Sequence, residues 1–348
     1  MSIPKLKDIA AATGVHEMTV SRALRNVGRM RPETRQRVLE AAMKLGYRPN
    51  AAAAAMRTGH TGCIALLSGT HRQALHLTAH AVSAIVESVT HRGGYLAHAT
   101  VPDVMHKGDG CRLPGVLNRH LAEGVLLHDI HEAGPLVEEF LQRNNLPAVW
   151  MNQKRTVNAV YPDDFGAARR VTEQLLACGH RRIVFVRLLR EAEVQHPMAH
   201  YSVTDRAAGY EMAMRQAGLN PSVVVVSYRW DQWPDPVDSR MRSLLRLFRD
   251  AKTRPTAVIV YRDGSVLMGL LQNLGIRIPE DVSIVSFSGY ATHVAEQMVS
   301  WVPVPFEEMG RVAVSIVHKM IESGTKELPA QDVPYGEIAS LHTVRKLA

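Results

Sequence analysis

The sequence predicts a small all-α head joined to an α/β body of two lobes, each lobe built on a parallel sheet. Three observations predict it. Residues 1–60 hold eleven Lys and Arg against four acids, a net +7 in a chain whose total is +8. The same stretch shows short helical periods punctuated by glycine. Beyond it, apolar runs of strand length alternate with amphipathic helices over too much chain for one sheet.

At 348 residues, with 46% hydrophobic and 21% charged residues, the chain suits a globular protein of two or three domains. No apolar run reaches bilayer-spanning length, and "MSIPKLKDIAAATG" lacks the apolar core of a secretory signal. A cytoplasmic location without a membrane partner is expected. Cys63, Cys111 and Cys178 are odd in number and form no CxxC pair, which argues against disulfides and zinc. The seventeen histidines are scattered and form no HExxH motif, so no metal is expected. There is no P-loop, G-x-S-x-G elbow or recognisable nucleophile–base pair. Neither an enzyme nor a cofactor is therefore expected.

The head, residues 1–48, reads as three helices. "KLKDIAAATGV" carries Leu6, Ile9 and Ala10 at helical spacing and ends at Gly14. "EMTVSRALRN" follows after a brief turn, with Val20, Ala23 and Leu24 inward, and the pair makes a helix-turn-helix pattern. "RPETRQRVLEAAMKLGY" has Pro32 in its first turn and Gly46 at its close, with Val38, Leu39, Ala42 and Met43 expected inward. In such a motif the second helix enters the major groove and its N-terminal residues meet base edges. Those residues are Glu17 and Met18, with Arg22 one turn on. Arg can bond guanine O6 and N7 together, Glu can accept from cytosine N4, and Met can pack on a thymine methyl. Thr19, Ser21 and Arg25 are placed for phosphates. A plain three-helix bundle with a solvated basic face is the alternative. Residues 49–60, within "YRPNAAAAAMRTGH", read as an alanine-rich helix too short to be stable alone, expected to order only when docked, or as a plain interdomain linker.

The run "DIAAATGVHEMTVSRALRN…TRQRVLEAAMKLGYRPN" resembles the signature of the LacI/GalR family of transcriptional regulators, densely from Leu6 to Asn50 and more weakly along the rest. "MTVSR" resembles the gluconate-repressor branch. The resemblance implies that the alanine-rich segment is a hinge helix that pairs with its dimer mate in the minor groove. Asn50 and Ala53 would make hinge contacts and Met56 would wedge between base pairs. His16 stands where the family usually has a capping, phosphate-binding Ser, and is expected to cap less well. Ala54 stands where the family often has Arg.

In the body, residues 61–348, strands are expected at Ile64–Leu67, "GVLLHD", "AVWMN", "RIVFVR", "VVVVSY", "AVIVYRD" and "VSIVSFSG". Helices fall between them, from "HLTAHAVSAIVESVTHRGGY" to "FEEMGRVAVSIVHKMIESG". The N-lobe is expected over about 61–161 and 290–322, and the C-lobe over about 162–289 and 323–348. Ligands in open α/β folds bind beyond the C-terminal ends of strands, here between the lobes. The candidates at those ends are Thr70, His71, Asn152, Arg262, Asp263 and Ser288, with Arg206 heading a helix. A polar residue at a strand end is more often an ordinary loop start, so none of these alone marks the site. Trp230 or Trp233 could stack on a sugar or sit in the core.

"GYRP…GHRRIVFV…DRAAGY…PTAVIVYRDGSVLMGLLQNLGIRIPEDVSIVSF" resembles the family's effector domain, of periplasmic-binding-protein type. The resemblance makes Arg206 the ligand arginine of R-x-x-G-[YFW]. Asn152 falls where the family often has a ligand-binding Asp, Arg262 replaces an Asn, and Ser288 replaces an Asp. Lost carboxylates and Arg262 beside Arg206 suit an anionic ligand, a sugar acid such as gluconate or ketogluconate or a phosphorylated sugar. The implied protein is a homodimer on double-stranded palindromic operator DNA, controlled by that small effector. "EIASLHTVRKLA" shows no heptad seam for a tetramer tail. The rivals are a sugar-binding solute receptor, an α/β enzyme with a nucleic-acid-binding head, and a regulator whose pocket binds nothing.

Overall fold

The computed structural model describes residues 4–48, 59–69, 77–101, 114–119, 121–130, 134–190, 200–228 and 239–347. The chain divides into two compact units, Met1–Gly62 and Cys63–Ala348. The expected hinge residues Asn50, Ala53 and Met56, with Ala54, lie outside the described residues, as do Thr70, His71, Trp230 and Trp233.

The first unit holds α1 (Leu6–Thr13), α2 (Glu17–Leu24) and α3 (Pro32–Leu45). Gly14 ends α1 at φ 70°, a left-handed turn that glycine adopts without a Cβ clash. Ile9, Val20, Ala23, Val38 and Ala42 form the core, flanked by Leu6, Ala10, Leu24 and Tyr47. Two inward assignments are corrected. Leu39 is 38% and Met43 82% exposed. Val38 and Ala42, four residues apart, take the buried stripe, and their successors fall about 100° further round the helix.

The second unit carries two sheets. The first, in order β13-β5-β4-β3-β1-β2, is wholly parallel. Its strands are β1 (Cys63–Gly69), β2 (Tyr95–Val101), β3 (Gly124–His128), β4 (Ala148–Met151), β5 (Ala159–Pro162) and β13 (Gln331–Val333). The second, in order β12-β9-β8-β6-β7, is parallel too. Its strands are β6 (Ile183–Arg190), β7 (Val223–Tyr228), β8 (Ala257–Val260), β9 (Ser283–Ser288) and β12 (Ser300–Pro303). A separate antiparallel pair joins β10 (His293–Val294) to β11 (Gln297–Met298).

Both sheets are covered on both faces, which is why their strands read as unbroken apolar runs. The helices are α4 (Ala79–Thr90), α5 (Gly115–Asn118), α6 (Gly134–Arg143), α7 (Asp164–Ala177), α8 (Ser202–Gln216), α9 (Ser239–Arg246), α10 (Ser265–Asn273) and α11 (Phe306–Ser323).

The lobe boundaries differ from expectation. Residues 290–303 belong to the C-lobe, because β12 pairs with β9. Residues 331–333 belong to the N-lobe, because β13 pairs with β5. The chain crosses between lobes after β5, after β12 and after β13. It then returns to the C-lobe, where the Thr343 hydroxyl donates to the Ile284 carbonyl at 2.7 Å and Leu347 N–H to the Cys178 carbonyl at 2.7 Å.

Candidate nucleic-acid interface and effector cleft

In the head, Val20, Ser21 and Ala23 are buried on α2, while Glu17, Met18, Arg22 and Arg25 are exposed. Met18 is 58% exposed, so its side chain is free to meet another surface. Met18, Arg22 and Arg25, at i, i+4 and i+7, share one stripe, with Glu17 beside its N-terminal end. Thr19 is half-buried at its edge. Arg25 Nε donates to the Ser21 carbonyl at 3.2 Å, which lays that side chain along the helix. Ser21 is only 9% exposed and faces inward, so it is the least accessible of the expected phosphate contacts.

His16 caps α2. Its backbone is extended, φ −65° and ψ 146°, and its Nδ1 accepts the Met18 N–H at 3.2 Å. It is thus an N-cap in its own right. Accepting at Nδ1 puts the neutral ring's proton on Nε2, on an exposed residue.

In the body, the C-terminal ends of the two sheets face each other. Asn152, just past β4, is held at φ 62°, a left-handed conformation that asparagine tolerates better than most residues. Its N–H donates to the Val160 carbonyl at 2.9 Å and its carbonyl accepts from His200 Nε2 at 2.8 Å. His200 precedes α8 of the other lobe. A carbonyl can only accept, so Nε2 carries the proton and Nδ1 is the acceptor. Ser202 Oγ therefore donates to Nδ1 at 2.7 Å, and the Tyr261 hydroxyl donates to Ser202 Oγ at 2.8 Å. This chain of hydrogen bonds spans the cleft. Burial holds the His200 ring neutral by lowering its pKa.

Arg206 lies in a buried knot at the crossings. Its Nε donates to Asp164 Oδ1 at 2.6 Å, its Nη1 to the Tyr261 carbonyl at 2.5 Å and its Nη2 to the Tyr335 hydroxyl at 2.8 Å. Tyr335 donates in turn to Asp164 Oδ1 at 2.7 Å. The guanidinium also lies 4.5 Å from the Phe287 ring centre. Burial works against its charge, but Asp164 together with Tyr335 and Tyr261 outweighs it, and the guanidinium stays protonated. Asp164 follows the first crossing and Tyr335 the third, so Arg206 ties both to the end of β8.

The rest of the R-x-x-G-Y motif has structural work. A Cβ on Gly209 would fall 2.1 Å from the Phe165 carbonyl oxygen, so only glycine lets α8 approach α7 this closely. Tyr210 donates to the Ile183 carbonyl at 2.8 Å at the foot of the second sheet.

Arg262 and Arg206 lie 5.5 and 5.1 Å from the centre of the Tyr261 ring. The structure does not leave Arg206 as an open charge, because Asp164 compensates it. Asp263 Oδ1 accepts the Ser265 N–H at 2.9 Å and so starts α10. Ser288 Oγ accepts the Tyr290 N–H at 3.2 Å and is buried. Both therefore have local structural roles at their strand ends.

Sequence reasoning missed Arg187. It stands inside the apolar strand "IVFVRLL", and a charge interrupting a run buried on both faces was the available signal. Among the described residues no group of three or more metal-ligating side chains occurs, and no helix is long and apolar enough to cross a membrane.

Comparison with known proteins accounts for both units. Residues 5–50 match the model of bacterial regulatory proteins of the lacI family, and residues 172–338 match a periplasmic binding protein-like domain. The transcriptional regulator CelR of Thermobifida fusca is 31% identical over 93% of this chain and 94% of its own. The transcriptional regulator GntR of Escherichia coli K12 is 27% identical over 92% and 96%. A solved CelR–cellobiose complex superposes with a TM-score of 0.61 at 28% identity, covering 96% of this chain and 98% of that one. These similarities do not single out the gluconate-repressor branch. The chain is a DNA-binding transcriptional regulator of the LacI family, with a ligand-binding body of periplasmic-binding-protein type.

Proposed function

We propose that the protein represses transcription as a homodimer on a palindromic operator and is controlled by an anionic sugar derivative, such as a sugar acid, bound between its lobes. The observation that carries the DNA reading is the exposed stripe of α2 opposite a face fixed by Val20 and Ala23. Glu17, Met18 and Arg22 read bases. His16, Thr19, Arg25 and, least accessibly, Ser21 hold the backbone. The hinge segment with Asn50, Ala53 and Met56 orders on the minor groove.

The observation that carries the effector reading is the pair of sheet ends facing each other across the His200–Asn152 bond, with Arg262 at the rim. Asn152, Arg206, Arg262, Asp263 and Ser288 are the described residues assigned to the site; Thr70, His71 and Trp230, assigned to it from the sequence, lie outside the described residues. Because the Arg206 knot links the crossings, an effector that changes lobe closure reaches the lobe that begins with β1, the first element after the hinge segment in the chain. The compensation of Arg206 by Asp164 favours a second reading, a neutral sugar of the kind the CelR complex holds.

Footprinting upstream of neighbouring genes, followed by titration with sugar acids and neutral sugars, tests both layers. The expected result is one palindrome bound far above bulk DNA, with affinity changed by a sugar acid. Equal binding to every duplex defeats the DNA reading. Response to a neutral sugar alone defeats the anionic one.

A further inference from the structure

We infer that Arg187 is the anion-selecting residue of the effector cleft, its guanidinium receiving the carboxylate of a sugar acid. The inference rests on the proposed anionic-effector reading and adds the residue that would enforce it.

The position follows from strand alternation. Ile183 and Phe185 pack into the core beneath α7 and α8, and Val184, Val186 and Leu188 into the opposite core. Arg187 therefore stands on the face of Ile183 and Phe185. Val186 pairs with Val260 on β8, and Tyr261 N–H donates to the Val186 carbonyl at 2.9 Å. Arg187 is thus level with Tyr261, one residue past the end of β8, at the edge that faces the other lobe. Tyr261 belongs to the same core face, and its hydroxyl starts the hydrogen-bond chain through Ser202 and His200 to Asn152.

The chemistry sets Arg187 apart from the arginines around it. Its Nε is closed to solvent and has no hydrogen-bond partner, while the residue as a whole is only half-buried. No ion pair with a described carboxylate meets it. Arg206 has Asp164, Arg254 has Asp281 and Arg155 has Glu138. An arginine whose fork is partly desolvated and unmatched costs stability in the ligand-free protein. A ligand carboxylate supplies the missing acceptors in the planar geometry that the fork fits. Arg262, the next residue after Tyr261 in the bend past β8, adds a second cation near the same ring. The Arg206 charge is already spent on Asp164, so Arg187 is the cation left for the ligand on this face.

Calorimetric titration of the full chain with D-gluconate, glucose 6-phosphate and D-glucose tests the inference. The unaltered protein is expected to bind gluconate more tightly than glucose. Arg187→Met should weaken gluconate roughly 10- to 100-fold, leave any glucose binding within about threefold, and not lower the ligand-free melting temperature. Arg187→Lys, which keeps the charge and loses the fork, should fall between. If the protein prefers gluconate and Arg187→Met binds it unchanged, the role of Arg187 is overturned and the anionic reading stands. A preference for glucose 6-phosphate that Arg187→Met abolishes replaces carboxylate by phosphate as the group received. A protein that binds glucose as tightly as either anion, or binds none of the three, overturns the anionic reading itself. A ligand-free melting temperature that drops in Arg187→Met makes Arg187 a structural residue and overturns the inference.

Discussion

The head and the cleft of this protein present polar surfaces in opposite ways. On the head, Glu17, Met18 and Arg22 follow one another within two turns of α2 and are held by apolar neighbours on the same helix. In the cleft, Asn152, His200, Ser202, Arg206, Tyr261 and Tyr335 come from elements far apart in the chain and are held by one another. The head can therefore lose a side chain without disturbing its scaffold. The cleft cannot lose one of these bonded groups so freely, because they are part of the scaffold; Arg187, which none of them meets, is the exception.

The largest effect should come from breaking the knot. Asp164→Ala leaves the Arg206 charge buried without its carboxylate, and should cost the body ~3–5 kcal/mol in urea unfolding. A loss below ~1 kcal/mol would show that the knot is incidental. Next comes the head. Arg22→Ala should cost ~1–3 kcal/mol of discrimination between operator and scrambled duplex by fluorescence anisotropy, with unfolding unchanged. Arg25→Ala should instead weaken both duplexes equally and reduce the salt slope by about one. An Arg22 variant that keeps its preference would remove Arg22 from the base readers.

The cap is a smaller test. His16→Ala should cost ~0.5–2 kcal/mol of head stability, read as faster amide exchange at Met18, and His16→Ser should restore most of it. The smallest effect is in pH. An unfolded imidazole titrates near pH 6.5, and burial lowers His200 below that in the folded protein. Between those two values the unfolded chain binds the extra proton, so stability is complete above about pH 6.5 and erodes as pH falls. His200→Gln, which can keep a donor toward Asn152 without titrating, should make that acid slope shallower. An unchanged slope would assign it to His180 or His318, which burial also lowers.

The same contrast explains what was legible in the sequence. The helix-turn-helix was readable because its signals are local: a glycine at φ 70° and apolar residues three and four apart. The central strands were readable because burial on both faces leaves an unmistakable apolar run. β12 and β13 were not, since "SWVP" and "QDV" carry neither run nor alternation and owe their conformation to β9 and β5. Arg206 was marked by its motif, but its bonds to Asp164 and Tyr335, 42 and 129 residues away, leave no trace in spacing. Arg187 was visible as a charge in a buried strand, and its significance depends on which neighbours do not meet it.

The returning tail has a consequence for synthesis. The first sheet is incomplete without β13, and the second lobe lacks Tyr335, Thr343 and Leu347 until nearly the whole chain has emerged. The head needs only residues up to Tyr47 for its core. On a ribosome the head can fold while neither lobe can close. For most of its translation the nascent chain would carry a finished reading helix on a body that cannot yet sense anything.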